Sequence, residues 1–325
     1  MRAAPITAIA LMLVAGLAHA ESASLTVVAK IPLPHGKGRI DHLAFDPARQ
    51  HLFVAELGNN TVAVVDVAQH RLERRLSDLA TPQGIAYFAA TDTIYVASAG
   101  DGTVRAFRAA DLSPAMNVDV GDDADNVRVD AKGNRIYVGF GDGTLEALDP
   151  RTLQRLGRIP LKGHPESFQL SSVDNRIFVN VPDSREVAVV DRAAGKQIAS
   201  WSTGTALANF PMAINYATEE LLSVFRQPAK IMAYRISSGA VARVASVCGD
   251  ADDVFVDAKR GRIYVVCGEG VVDVLTSTTL DRIGRVTTSE GARTGLYSAE
   301  ADVLFVAARA TQGSEAAVWV LKPND

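Results

Sequence analysis

A short β-rich tripeptide recurs along the chain at almost constant spacing. Its seven copies start 42, 42, 41, 44, 42 and 41 residues apart. They are Leu52-Phe53-Val54, Ile94-Tyr95-Val96, Ile136-Tyr137-Val138, Ile177-Phe178-Val179, Leu221-Leu222-Ser223, Ile263-Tyr264-Val265 and Leu304-Phe305-Val306. The segments around them alternate with period two, which is typical of strands and not of a helical solenoid. A period near 42 that holds four short strands is typical of a propeller blade. Seven copies therefore predict an all-β, seven-bladed β-propeller.

The first copy shows the order of strands within a blade. We expect strand a at 42–46, b at 52–56, c at 61–67 and d at 71–79, with Gly, Asn and Asp in the hairpin turns between them. The last copy has a third strand at 316–321 but no fourth. A β-rich run at 25–33, which resembles the d strands, has no partner of its own. We predict that this N-terminal strand closes the last blade, because an open sheet edge is a liability.

The first twenty residues have the pattern of a secretory signal peptide. Arg2 precedes an uncharged apolar stretch, and Ala18-His19-Ala20 fits an A-x-A cleavage site. The stretch is shorter than the roughly 20 residues that a membrane span needs. We therefore expect residues 1–20 to be removed and residues 21–325 to form one propeller domain. That domain is expected to be periplasmic or secreted, monomeric and without a membrane span.

The charge balance bears on the class of partner. The chain of 325 residues carries 33 basic and 37 acidic side chains, a net charge of −4. It has no basic run, and neutralising phosphates supplies most of the affinity of a nucleic-acid-binding protein. We expect no nucleic-acid partner, and the sequence names neither a small molecule nor a protein in its place.

Residues 52–66, LFVAELGNNTVAVVD, carry the pattern most fully. An apolar tripeptide, a Gly/Asn turn, Thr-Val, apolar alternation and a final Asp resemble the YVTN-type propeller repeat. The chain after its leader resembles the bacterial, exported YncE-like family of seven-bladed propellers. The fifth copy departs most, with Gln227-Pro228 at the expected turn. The resemblance implies a periplasmic location and a binding or interaction role, on a fold that hosts many functions.

A column of polar residues lies eleven positions before each strand b. It contains Asp41, Gln83, Asp125, Glu166, Phe210, Asp252 and Arg293, and adjacent positions add His42, Asn126, Asn209 and Asp253. The d-to-a loops of a propeller meet at one mouth of its central channel. We predict that the polar members of this set form a ligand or ion site at an acidic mouth. The alternative is ordinary turn chemistry, since Asp and Asn are favoured in loops.

A bound divalent metal is one form that this site could take. Carboxylate oxygens suit Ca²⁺, Mg²⁺ or Mn²⁺, whereas added imidazoles favour Zn²⁺ or Cu²⁺. The candidate ligands are His42, His164 and Glu166. Such a metal could polarise a lactone carbonyl and activate water, so a metal-assisted lactonase or hydrolase is the alternative to a binding protein. No sequence signature fixes that reaction.

Cys248 and Cys267 are the two cysteines of the chain. Cys248 precedes strand a of the sixth copy and Cys267 ends its strand b, so both approach the same face. Export would permit a disulfide between them. Two buried thiols that act as small apolar side chains are the alternative.

Overall fold

A computed structural model describes residues 24–325, so the signal peptide expected at 1–20 lies outside the described residues. Twenty-eight strands follow one another, joined by turns and two single-turn helices. They are β1 (Leu25–Pro32), β2 (Leu43–Asp46), β3 (His51–Glu56), β4 (Thr61–Asp66), β5 (Arg71–Leu76), β6 (Pro82–Phe88), β7 (Thr93–Ser98), β8 (Thr103–Arg108), β9 (Pro114–Asp119), β10 (Val127–Asp130), β11 (Arg135–Phe140), β12 (Thr144–Leu148), β13 (Arg155–Pro160), β14 (Phe168–Leu170), β15 (Arg176–Val181), β16 (Glu186–Asp191), β17 (Lys196–Ser202), β18 (Leu207–Asn215), β19 (Glu220–Gln227), β20 (Ala229–Arg235), β21 (Val241–Ser246), β22 (Ala251–Asp257), β23 (Arg262–Cys267), β24 (Val271–Thr276), β25 (Arg282–Thr287), β26 (Thr294–Ser298), β27 (Val303–Ala308) and β28 (Ala317–Pro323).

These strands form seven four-stranded antiparallel sheets arranged as the blades of a ring. Blades 1 to 6 each take four consecutive strands, from β2–β5 through to β22–β25. Blade 7 has the order β1-β28-β27-β26. The predicted seven-bladed propeller is confirmed. The predicted strands agree with the observed ones except at their ends, where the fourth strand of blade 1 stops at Leu76 and not at 79.

The N-terminal strand completes blade 7, as predicted. β1 pairs with β28 from Leu25 opposite Pro323 to Pro32 opposite Ala317, with one bulge. Leu25 and Ile31 are at most 1% exposed. Blade 7 is therefore complete only when both β1 and β28 are present.

The core lies between neighbouring blades. Strands b and c are apolar on both faces, because each blade packs against one neighbour on either side. Phe53 of blade 1, for example, shares a buried cluster with Ile94 and Phe107 of blade 2. Strand d alternates between exposed and half-buried residues, as expected of an outer strand with one covered face.

Buried carboxylates on the inner strands are paired with arginines. Asp273 of β24 is fully buried, and Arg285 of β25 contacts both of its oxygens at 2.6 and 3.0 Å. Arginine also joins blades, since Arg260 contacts Asp257 of blade 6 at 3.1 Å and Asp302 of blade 7 at 2.6 Å. The Arg260–Asp302 pair therefore links blade 6 to blade 7, whereas the Asp273–Arg285 pair joins two strands of one blade.

The first strand of each blade lines the central channel. A cavity of about 550 Å³ is surrounded by residues of all seven of these strands or their immediate ends. In residues 24–325, no helix is both long and apolar enough to cross a bilayer.

Candidate functional site at the channel mouth

The structure brings the predicted polar column to one end of the channel. A cavity of about 230 Å³ there is lined by six members of the column, Gln83, Asp125, Glu166, Phe210, Asp252 and Arg293. The seventh member, Asp41, is 2% exposed and lies beneath Arg39, which lines the same cavity. The constant register along seven blades thus becomes a ring of side chains. We call this cavity the mouth.

Arginines neutralise much of the charge of these carboxylates. Arg226 Nη2 contacts Asp252 Oδ1 at 2.6 Å, and Arg293 Nε lies 3.2 Å from Asp252 Oδ2. Both arginines also contact Asp250, at 3.3 and 3.0 Å. Arg226 lies over the ring of Phe210 at 4.2 Å, which explains why an aromatic residue occupies the column in blade 5.

A second cluster of charged side chains extends from the mouth into the channel. Arg39 Nη2 contacts Asp41 Oδ2 at 2.8 Å, and His42 lies 3.8 Å from both Asp41 and Asp253. Burial lowers the pKa of His42, but the interaction with Asp253 and the negative charge of Asp41 outweigh it and raise that pKa to about 10. His42 is therefore a cation held between two carboxylates. His42 and Asp253 line the channel cavity, not the mouth.

His164 occupies the opposite side of the mouth. Its Nδ1 bonds to the carbonyl oxygen of Gly141 at 2.8 Å, and its Nε2 lies 3.7 Å from Asp125. Burial lowers the pKa of His164, but Asp125 and the Gly141 carbonyl raise it to about 9. At neutral pH His164 thus supplies the countercharge of Asp125.

Glu166 differs from the other carboxylates of the mouth. In residues 24–325 no hydrogen bond or ion pair reaches its carboxyl group. It lies where the mouth meets a side cavity of about 460 Å³ that His164 and Phe210 also line. Burial and the negative charge of Asp125 raise the pKa of Glu166 to about 8. Because its carboxyl group is unpaired, Glu166 is the acidic residue of the mouth that is available to bind a ligand.

The two predicted asparagines lie in the walls. Asn126 is 2% exposed and Asn209 is fully buried. Asn209 Nδ2 donates to Asn180 Oδ1 at 3.0 Å and to the carbonyl oxygen of Glu186 at 3.2 Å. The side-chain oxygens of both asparagines are among the buried atoms without a partner in residues 24–325. The walls of this region therefore have an excess of acceptors.

The three residues predicted as metal ligands are not gathered into one set. His42 is placed between Asp41 and Asp253, whereas His164 faces Asp125, and Glu166 bonds to neither. In the described part of the chain, no group of three or more His, Cys, Asp and Glu side chains could hold a metal ion. The donors present do not fit a divalent cation, and the arginines supply the countercharge that we expected from a metal.

The cysteines are joined by a disulfide in the structure. The Cα atoms of Cys248 and Cys267 are 5.9 Å apart, within the range of natural disulfides. Both residues are buried, at the start of blade 6 and at the end of its second strand. The bond ties the loop that carries Asp250 and Asp252 to the blade behind it.

Arg39, Asp123 and Arg226 are the residues of the mouth that the repeat did not reveal. Arg39 lies two positions before the column, and Arg226 belongs to β19, which has eight residues where most second strands have six. The only sequence signal for Arg226 was the departure of the fifth copy from the repeat. The irregular fifth copy of the repeat thus supplies Arg226, which balances the negative charge of Asp252.

Comparisons with known proteins support the fold alone. No family model matches the chain, and no curated protein sequence matches it. A chain from a structure of hydrazine synthase of Kuenenia stuttgartiensis is similar, with a TM-score of 0.72 and 14% identity over 84% of this chain and 94% of that one. In all, 1756 chains of known structures resemble this one, and a fold so widely used does not specify a function. The class established here is the seven-bladed β-propeller.

Proposed function

We propose that this protein is an exported propeller of the YncE-like, YVTN-repeat type that binds a small organic cation at the mouth. The repeat at residues 52–66 and the leader at 1–20 support the family and the export. The Cys248–Cys267 disulfide is in keeping with an oxidising compartment such as the periplasm. Fold similarity by itself does not choose a ligand, so the ligand is argued from the mouth.

The unpaired carboxyl group of Glu166 carries the proposal. Each arginine of the mouth already contacts an aspartate, so no cation there is left free for an anionic ligand. The carboxyl group of Glu166 has no hydrogen-bond or ion-pair partner in residues 24–325. Its two oxygens are complementary to a ligand with N–H donors and positive charge. A primary or secondary amine meets both requirements.

Protons compete with such a ligand. With a pKa of about 8, Glu166 holds its proton at neutral pH, and an ammonium group must displace it. Binding therefore releases a proton at pH 7 and becomes tighter as the pH rises through 8. At one pH unit below the pKa of Glu166, competition with protons weakens the apparent affinity for the amine about tenfold.

Calorimetry with putrescine tests the proposal, with butanediol as the uncharged probe of the same length. We expect putrescine to bind more tightly near pH 9 than near pH 7, and butanediol not to bind. Glu166→Gln removes the charge and should weaken the binding of putrescine near pH 9 at least about tenfold, because a charge-assisted hydrogen bond is lost. Glu315→Gln, at an exposed glutamate, is the matched control and should behave as the parent. Equal affinities of Glu166→Gln and the parent near pH 9, where Glu166 is ionised, contradict the proposal.

The second candidate is a hydrolase, and the raised pKa of Glu166 is the observation that favours it. A carboxyl group that titrates near neutral pH can act as a general acid or base. The metal-assisted form of this reaction has no ligand set in the described residues. A panel of lactones and esters separates the candidates. Turnover that disappears in Glu166→Gln supports the hydrolase, and amine binding without turnover supports the binding protein.

A further inference from the structure

The channel below the mouth contains a second cavity, of about 550 Å³, which is within the usual size range of small-molecule sites. Its wall includes one residue from each blade at the same register, opposite the middle residue of the repeated tripeptide. These seven residues are three alanines, one leucine, one phenylalanine, one glutamine and one arginine, and the arginine is Arg128. Phe45, Tyr87 and Tyr297 add aromatic surface one position further along. Five of the seven residues of this ring are thus apolar and one is a cation, whereas His42, Asp253 and Ser167 make another part of the cavity wall polar.

Arg128 has no anionic partner. Its only hydrogen bond in the described chain runs from Nη1 to the carbonyl oxygen of Val127 at 2.9 Å, and no carboxylate lies within ion-pair distance of it. A guanidinium carries five N–H donors, so four remain free. The nitrogens of Arg128 are absent from the set of buried polar atoms that lack a partner. Because Arg128 lines the cavity, its free donors face the open space there.

The nearest acids are engaged elsewhere. Asp253 accepts a hydrogen bond from the backbone N–H of Gly295 at 2.8 Å and is paired with His42. Asp125 is paired with His164 at the mouth. Burial lowers the pKa of the Arg128 guanidinium, and the more distant negative charges of Asp253 and Asp125 offset only part of that effect. Burial in the cavity deprives the guanidinium of Arg128 of part of its hydration. An anion beside Arg128 would replace the lost interactions with water.

We propose that the channel cavity binds an organic monocarboxylate with an aromatic or branched apolar body, and that Arg128 holds its carboxylate. The planar guanidinium matches a carboxylate through two parallel hydrogen bonds. The apolar body would lie against Phe255 and Leu296, in the space that Ala44 and Ala86 leave open in the same ring. A bulkier, more highly charged ligand fits less well, because His42, the other cation of this cavity, is already paired with Asp253 and leaves Arg128 as the single cation available to it among the described residues. This site shares no lining residue with the mouth.

Calorimetry with phenylbutyrate and its neutral amide, phenylbutyramide, tests this assignment on the unmodified protein. We expect the carboxylate to bind at least about tenfold more tightly than the amide, because a charge-assisted pair is at stake. Arg128→Gln should reduce the affinity for the carboxylate to that for the amide. Arg128→Lys keeps the charge but loses the planar fork, so its affinity should lie between the two. Arg151→Gln, at an exposed arginine, should bind as the parent does.

The affinity of Arg128→Gln for putrescine should equal that of the parent, because putrescine binds at the mouth and not in the channel cavity. Unchanged putrescine binding also shows that the variant is folded, and thermal melting checks its folding without a ligand. The assignment is overturned if carboxylate and amide bind equally to the parent, if neither binds, or if a folded Arg128→Gln keeps the full preference for the carboxylate. Failure of putrescine to bind the parent would count against the mouth proposal alone.

Discussion

Removing β1 would open the ring at blade 7. A chain that begins at Pro34 lacks Leu25, Ile31 and Leu33, which are at most 1% exposed in the folded protein. Full burial of each such side chain contributes about 1.5–3 kcal/mol, so the loss amounts to about 5–9 kcal/mol. That is comparable to the whole stability of a domain, about 5–15 kcal/mol. It also leaves β28 as an unpaired apolar edge that can pair with another chain.

Chemical denaturation and light scattering measure this effect. We expect the shortened chain to be unfolded or aggregated under conditions in which the parent is folded and monodisperse. Two substitutions within β1 give a graded version of the test. Ile31→Ala should lower the free energy of unfolding by about 2–5 kcal/mol. Val28→Ala, at a residue that is 55% exposed, should change it by less than about 0.5 kcal/mol. If the shortened chain melts like the parent, the closure is not what holds blade 7 together.

Three further outcomes follow from the contacts described above. Asp273→Ala leaves the Arg285 guanidinium without its bidentate partner, so urea denaturation should show a loss of about 3 kcal/mol, and an unchanged midpoint would contradict the importance of this pair. Peptide mapping without reductant should recover Cys248 and Cys267 as one linked species, and replacing both by Ala should lower stability by about 3 kcal/mol for a bridge of sequence separation 19. The pKa of Glu166 is raised from 4.5 to about 8, so the folded state loses stability relative to the unfolded state as the pH rises from 4.5 to 8. Glu166→Gln removes that loss and should melt higher than the parent near pH 9 but not near pH 4; equal differences at both pH values would contradict the raised pKa.

The fold could be predicted from sequence because its information is local. Alternation of period two and turns rich in Gly, Asn and Asp specify each hairpin, and the 42-residue spacing repeats that specification seven times. The same register also predicted which loop residues meet at the mouth, since position along a strand fixes height along the channel. Gln83, Asp125 and Glu166 line one cavity for that reason.

The partners of those residues could not be predicted in the same way. Whether a carboxylate faces a metal, an arginine or a histidine depends on side-chain direction and on irregular copies of the repeat. Arg39 lies outside the register, and Arg226 comes from a strand that is longer than its counterparts. His42 and His164 belong to equivalent loops, yet each is paired with different acids, so the expected metal set was not assembled. The free guanidinium of Arg128 became visible only once the channel was closed around it.

Blade 7 joins a segment that a ribosome makes early, β1, to one that it makes much later, β28. Thr26 and Asn324, which share a hydrogen bond, are 298 positions apart. A product of premature termination that lacks β28 would therefore display β27 and the apolar face of β1 to chaperones and proteases, however well its other blades are formed. The ring thereby makes the durability of the protein depend on translation having continued through β28.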